Sequence, residues 1–334
     1  MQSLRKTRAL GLSSGGLDSI LSALILKEQG VEVEWITFKT PFFSPDSAIR
    51  ASNQTGIPLI VKDITDVYME MLKSPPAGYG KNMNPCMDCH ALMFNQAGLV
   101  MLQMGYDFLF SGEVVGQRPM SQKKNSMNYV EKHSGFKGQI LRPLSAKLLP
   151  ETFMEKEGLV DRDKLLGITG RSRKIQIEMA KQFGITDYPP PAGGCLLTDQ
   201  NFSKRLKDLM ETEQTYLKRD LYLLKHGRHL RLNSRVKIVV GKSEQDNNKI
   251  ESLYKFDRDI AIYHAYLASP FLLIPDALTL NLNIETIKMA ASICAGYTKA
   301  KPEENTEMVV VSKDQQDKIT VCALEPKKFQ DLMI

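Results

Sequence analysis

Apolar positions in the first half of the chain change period again and again. Residues 8–14, RALGLSS, form a short apolar run of strand length, and residues 19–30, SILSALILKEQG, are apolar at helical spacing up to Gly30, a natural helix stop. Residues 31–40, VEVEWITFKT, alternate as a second strand, residues 46–55 predict a helix, and residues 57–64, IPLIVKDI, read as a third strand. A long apolar helix is predicted over 91–105, ALMFNQAGLVMLQMG, and a fourth strand over 106–115, YDFLFSGEVV. This alternation predicts an α/β domain with a doubly wound parallel sheet. Ligands of such sheets bind outside the carboxyl ends of the strands, so the loops after Leu12, Thr40 and Phe110 are expected to share one crevice.

The pattern changes at 188–194, YPPPAGG, where three prolines forbid helix and two glycines loosen the backbone. Beyond it come a charged helix over 202–227, short strands at 235–241 and 259–266, helices near 244–255 and 284–296, and a terminal hairpin over 307–324. The expected organisation is an α/β domain over 1–187, a linker over 188–200 carrying Cys195, and a smaller α+β domain over 201–334. No internal repeat is visible. With 43% hydrophobic and 25% charged residues, the chain of 334 residues can build real cores and is not of disordered composition. No stretch approaches the ~18 apolar residues of a membrane span. The basic first residues lead into no apolar run with a cleavage site, so a cytoplasmic location is expected.

Ser13-Ser14-Gly15-Gly16-Leu17-Asp18-Ser19 lies between the first strand and the first helix. Two glycines let backbone approach a ligand closely, and free N–H groups at the helix start face an anion. Ser14 and Ser19 add hydroxyls, and Asp18 can hold Mg2+ against phosphates. An ordinary capped turn is the plainer alternative. Neither G-x-x-x-x-G-K-[ST] nor G-x-G-x-x-G occurs, which argues against a Walker NTPase and a dinucleotide fold. SGGLDS resembles the signature of the PP-loop ATP pyrophosphatases, which cleave ATP between the α- and β-phosphates and adenylate an acceptor. That resemblance implies ATP and Mg2+ as cofactors. It also implies nucleotide contacts by Ser13, Ser14, Gly15, Gly16, Asp18 and Ser19, and by Phe38 at the end of the second strand.

There are five cysteines, an odd number that argues against a secreted disulfide framework. Cys86 and Cys89, in Asn84-Pro85-Cys86-Met87-Asp88-Cys89-His90, can chelate one centre, and Cys195 is the natural third. Cys294 and Cys322 have apolar surroundings and read as buried packing residues. Three chemistries suit the trio. They are a [4Fe-4S] cluster with one open iron, a dithiol that carries and resolves a persulfide, and structural zinc with His90 as fourth ligand. The first is preferred, because a bound hydrosulfide is a strong nucleophile and no sulfur-carrying domain is visible. NPCMDCHALMF is similar to the N-P-x-x-x-C-N-x-x-I-K-F region of tRNA 2-thiouridylases, with the extra cysteine of iron–sulfur forms and His90 in place of Asn. Ser111–Gln117, SGEVVGQ, resembles the T-G-E-x-x-G-Q segment of tRNA 4-thiouridine synthetases, as does the following Arg142-Pro143-Leu144. By position, Gly112 allows nucleotide approach, Glu113 is expected to hold Mg2+ or the ribose, and Gln117 to bond a base or orient the loop.

Net charge is only +6, but it is unevenly spread. Residues 118–147 carry Arg118, Lys123, Lys124, Lys132, Lys137, Arg142 and Lys147 against Glu131 alone, and residues 204–242 carry eleven basic residues against four acids. Clustered charge is the footprint of phosphate-backbone contacts. Met120, Tyr129 and Phe136 are expected to stack on an extruded base, and Arg171 and Arg173 to touch phosphate. Residues 226–253, HGRHLRLNSRVKIVVGKSEQDNNKIESL, faintly resemble an RNA-binding domain of ribosome-associated quality-control proteins. The expected activity is therefore an ATP-dependent tRNA sulfurtransferase making thiouridine, with tRNA and a sulfur donor (sulfide or a cysteine desulfurase) as partners. A PP-loop enzyme that sulfurates or amidates a small molecule is the alternative.

Overall fold

A computed structural model describes residues 6–190, 195–213, 215–302, 304–313 and 315–334. Residues 191–194 of the Pro/Gly boundary segment lie outside the described residues. The chain divides into two compact units, Met1–Thr198 and Asp199–Ile334, so Cys195 belongs to the first. Among the described residues no helix is long and apolar enough to cross a membrane.

The first unit runs β1 (Arg8–Leu12), α1 (Leu17–Glu28), β2 (Glu32–Lys39), α2 (Asp46–Thr55), β3 (Leu59–Asp63), α3 (Thr65–Lys73), α4 (Cys86–Met104), β4 (Phe108–Ser111), α5 (Lys124–Ser134), β5 (Ile140–Leu141), α6 (Phe153–Lys156) and α7 (Lys174–Gln182). The five strands form one sheet in the order β3-β2-β1-β4-β5, and every pairing is parallel. This is the doubly wound sheet that the alternating periods predict. The chain leaves β1 towards β2 and β3, then crosses back to lay β4 on the other side of β1. That reversal opens a crevice at the carboxyl ends of β1 and β4. The core beside it is built by Ile20, Leu21 and Leu26 of α1, Trp35 of β2 and Phe108 and Phe110 of β4, all essentially inaccessible.

Two boundaries differ from expectation. α4 begins at Cys86, so Cys86, Cys89 and His90 occupy its first turns rather than a loop before it. β4 ends at Ser111, so Glu113 lies past the strand. Local spacing does not mark either end, because Pro85 and the turn after β4 act through the backbone.

The second unit contains α8 (Gln200–Thr212), α9 (Lys218–Leu223), β6 (Arg228–Arg231), β7 (Lys237–Val240), α10 (Glu244–Glu251), β8 (Ile260–His264), β9 (Leu272–Ile274), α11 (Ile284–Ala295), β10 (Asn305–Ser312) and β11 (Gln315–Cys322). The single charged helix expected over 202–227 is two helices. α8 stops at Thr212, and α9 restarts with Asp220 accepting from the Leu217 N–H at 2.7 Å. Six strands form an antiparallel sheet in the order β11-β10-β8-β9-β7-β6. α11 buries Ala290, Ile293 and Cys294 against Leu230, Ile238 and Ile262 on one face. Leu223, Val239, Ile250 and Leu273 pack on the other. Cys294 is buried as expected, whereas Cys322 is exposed. Alternation in β11 sends Val321 inward and Cys322 outward, so an apolar neighbourhood in sequence did not carry the cysteine into the core.

Candidate active site

The loop after β1 is shaped by two close approaches. Gly15 has φ +72°, and a Cβ there would stand 2.1 Å from the backbone carbon of Ser47. Gly112, after β4, lies so near α1 that a Cβ would stand 2.4 Å from the Ser19 nitrogen. Only glycine permits either contact. Ser13 prolongs the β1–β2 ladder by donating to the Ile36 carbonyl at 2.9 Å, and its hydroxyl accepts from the Gly15 N–H at 3.1 Å. Gly16 is the N-cap of α1, and its extended backbone leaves the first amides of the helix aimed out of the turn. Ser14 is exposed and Ser19 is buried. Asp18 is gripped by Gln117, whose Nε2 donates to Oδ2 at 2.8 Å. The remaining oxygens, Asp18 Oδ1 and Gln117 Oε1, are buried and receive no hydrogen bond. Unpartnered oxygens of this kind are the donors a hard divalent cation takes, so Mg2+ fits here. Phe38 sits buried at the carboxyl end of β2.

Glu113 is engaged differently from the metal- or ribose-facing role read from its position. Its Oε1 meets His90 Nδ1 at 2.9 Å, and its Oε2 accepts from Arg142 Nε at 2.9 Å. Arg142 also pairs with Glu131 through Nη1. Burial alone would raise the Glu113 carboxyl. The Arg142 charge and the bonds from His90 and Arg142 overcome this and hold it at about 2. Through these two contacts Glu113 ties the start of α4 to Arg142. His90 meets that carboxylate through Nδ1 only, so the contact does not decide its fourth-ligand place in the zinc reading.

The cysteines gather around α3. The buried Tyr68 hydroxyl forms no geometrically ideal hydrogen bond, and Cys89, Cys195 and Cys86 all lie close enough to push its pKa up, after burial itself. Cys195 is fixed from the next residue, where the Leu196 N–H donates to Phe42 at 3.2 Å, and the Phe42 ring packs 5.5 Å from Tyr68. Asn84 Nδ2 donates to the Cys86 sulfur at 3.2 Å. Burial drives the Cys89 thiol to about 12 and the Cys195 thiol to about 11; Cys195 and Cys86 add to the first and Cys86 to the second. Buried thiols of this kind stay protonated near neutral pH unless a cation joins them. Among the described residues no three His, Cys, Asp or Glu side chains converge tightly enough for a single metal ion.

Residues 5–175 match a family model described as thiamine biosynthesis protein (ThiI), a stretch just over half of the chain. The chain belongs to the ThiI family. Residues 227–333 match a second model, the NFACT protein RNA binding domain. The tRNA-specific 2-thiouridylase of Sulfurimonas denitrificans is 33% identical over 122 residues, covering 34% of this chain and 36% of that protein. Its counterpart in Thermus thermophilus is 30% identical over 135 residues, covering 32% and 36%. The matched stretch thus spans about a third of these relatives. A crystal structure of a 4-thiouridine synthetase–RNA complex with bound ATP superposes with a TM-score of 0.41 at 18% identity, covering 66% of this chain and 52% of that one.

The ThiI-family stretch carries the PP-loop, Cys86, Cys89 and Glu113, while Cys195 lies beyond it. Of the basic residues expected to touch RNA, Arg118, Lys123, Lys124, Lys147 and Arg171 are exposed and Arg173 is half-buried. Thr169 Oγ1 donates to the Val115 carbonyl at 3.0 Å, which holds the Arg171 segment beside the loop after β4. Arg142 is a correction. Its side chain is 1% exposed and locked between two carboxylates, so it meets no phosphate. Phe136 is another, since it fills the space over Gly98 inside the fold. Tyr129 is held by its hydroxyl on Asp88 at 2.7 Å and by stacking on His133. In the second basic segment Arg219, Arg231 and Lys237 are paired internally with Asp259, Asp208 and Glu213. Sequence reasoning missed Asp88, which fastens the Ala77 amide and Tyr129 onto the start of α4. Its place inside the cysteine motif was the available signal. Tyr68 gave no signal at all.

Proposed function

We propose that this ThiI-family chain is an ATP-dependent tRNA sulfurtransferase that converts a uridine to thiouridine in the cytoplasm. The observation that carries the reading is a run of contacts from the cysteines to the phosphate loop. Cys89 is followed by His90, His90 bonds Glu113, and Gly112 rests against the Asp18–Ser19 backbone. A sulfur source and an activated nucleotide held at the two ends of that run work on one substrate atom.

The amides at the start of α1 bind the triphosphate, and Asp18 and Gln117 hold Mg2+ through their open oxygens. Phe38 lies beside the nucleotide. The uridine carbonyl oxygen attacks the α-phosphorus, pyrophosphate leaves, and the adenylated carbon becomes electrophilic. Sulfide then adds to that carbon and AMP departs with the original oxygen. Cys86, Cys89 and Cys195 would hold a [4Fe-4S] cluster, which would supply the sulfide nucleophile. Sulfide itself or a cysteine desulfurase provides the sulfur. Exposed Arg118, Lys123, Lys124, Lys147 and Arg171 meet tRNA phosphates near the crevice, and the second unit adds RNA affinity.

The test is nucleoside mass spectrometry of tRNA incubated with ATP, Mg2+ and sulfide. Anaerobically purified protein is expected to be coloured and to thiolate uridine, and Cys195→Ala to abolish product while ATP still binds. Colourless, iron-free protein that is inactive with sulfide but fully active with a cysteine desulfurase as persulfide donor and a thiol reductant would transfer the sulfur role to a persulfide on the same cysteines. Absence of any thiolated nucleoside, with turnover of a small acceptor instead, would overturn the tRNA reading.

A further inference from the structure

We infer that His90 reads the N3–H of the uracil base, accepting its hydrogen bond on Nε2. The inference rests on the uridine substrate proposed above and adds the residue that recognises that base.

The observation is a ring held at one nitrogen and open at the other. His90 follows Cys89 on α4, so the helix fixes its backbone. Its Nδ1 meets Glu113 Oε1 at 2.9 Å. The other Glu113 oxygen accepts from Arg142 Nε at 2.9 Å and stands 3.4 Å from Ser111 Oγ, so the carboxylate is itself anchored. The Arg142 charge and the bonds from His90 and Arg142 keep that carboxylate ionised, and an ionised carboxylate only accepts. Nδ1 therefore carries the proton of the neutral ring, and Nε2 is a bare acceptor. Among the described residues Nε2 has no hydrogen-bond partner. The His90 side chain is 24% exposed, whereas Glu113 at its Nδ1 edge is 7% exposed. The edge left open to a ligand is thus the Nε2 edge.

Its place suits the substrate base. Glu113 follows Gly112, which lies so near α1 that a Cβ would stand 2.4 Å from the Ser19 nitrogen. An acceptor tied to Glu113 and carried next to Cys89 adjoins both the phosphate loop and the cysteines. In a uridine, N3–H is the only N–H of the base, and it lies between the C2 and C4 carbonyls. One acceptor placed on it serves whichever carbonyl is activated. Cytidine carries a bare N3 instead, which would set two lone pairs against each other. A site built around this acceptor therefore admits the pyrimidine with an imide and rejects the other.

The test measures binding of paired ligands to the anaerobically purified full chain, with the PP-loop site saturated by a non-hydrolysable ATP analogue. One arm is calorimetry with UMP and with 3-methyluridine monophosphate, in which a methyl group replaces the N3 proton. The other compares synthetic tRNA carrying the uridine located by the mass spectrometry above with tRNA carrying 3-methyluridine in its place. In both arms the parent should favour the N3–H ligand by about tenfold, the effect of one hydrogen bond whose loss strands its acceptor. His90→Ala should bind the two ligands equally, and His90→Gln, whose amide oxygen can take the Nε2 place, should restore the preference. A merely structural role would weaken both ligands alike. Equal binding of the paired ligands by the parent, no binding of either pair, or a preference that survives in His90→Ala would overturn the inference. Loss of iron or zinc from His90→Ala, measured on the same samples, would overturn it too, because Nε2 is then a metal ligand. tRNA binding without preference removes His90 and leaves the tRNA reading standing. A preference between the mononucleotides with no tRNA binding removes the tRNA reading and keeps His90.

Discussion

Replacing Glu113 with Gln tests how the cysteine helix is tied to the phosphate loop. The carboxylate is buried between His90 and Arg142, and its pKa falls from an ordinary 4.5 to about 2. Each unit is worth about 1.4 kcal/mol, so the charged form adds about 3 kcal/mol to stability. The sign follows from the depression. The contribution is complete above the unfolded value of about 4.5 and is lost as pH falls towards about 2. Glu113→Gln should therefore cost about 3 kcal/mol at pH 7, and the gap should close as pH approaches 2. The chain has one tryptophan, Trp35 in β2, buried in the first unit. Urea unfolding followed by its emission reports that unit alone, free of the second. A variant within ~0.5 kcal/mol of the parent at pH 7, or a gap that persists unchanged to low pH, would refute the reasoning.

Three further outcomes are expected. Gly15→Ala places a methyl group against the Ser47 backbone at a positive φ, so ATP affinity should collapse and Trp35-monitored stability fall by roughly 1–2 kcal/mol or more; unchanged nucleotide binding by calorimetry would contradict the close approach. Arg219→Met strands Asp259, which is wholly buried, and should destabilise the second unit by about 3–5 kcal/mol in circular dichroism while the Trp35 transition stays in place. In native protein, brief alkylation should label Cys322 before Cys89 and Cys294, and peptide mass spectrometry showing the reverse order would contradict the orientation of β11.

Most of the sheet was legible in the sequence. Strand and helix periods set β1, β2, β3, α1 and α2 closely, because each element buries one continuous face of its own. Residues 202–227 read as one continuous helix because polar, charged residues suit a helix throughout, and nothing local reveals that Asp220 starts a new one by capping at Leu217. Arg142 looked like a surface cation because its sequence neighbours are basic. Its partners are Glu131, eleven residues away, and Glu113, twenty-nine residues away.

By itself, then, the sequence determined the first four strands with the helices after β1, β2 and before β4, and the glycine loop that opens α1. These are properties of spacing, backbone freedom and side-chain chemistry, all local. Tertiary structure alone decided which charges face solvent and which are spent inside, that Tyr68 stands among Cys86, Cys89 and Cys195, and that Glu113 is buried between His90 and Arg142. Burial and pairing depend on what packs from distant parts of the chain, and a charge or a thiol takes its function from that surrounding rather than from its neighbours in sequence.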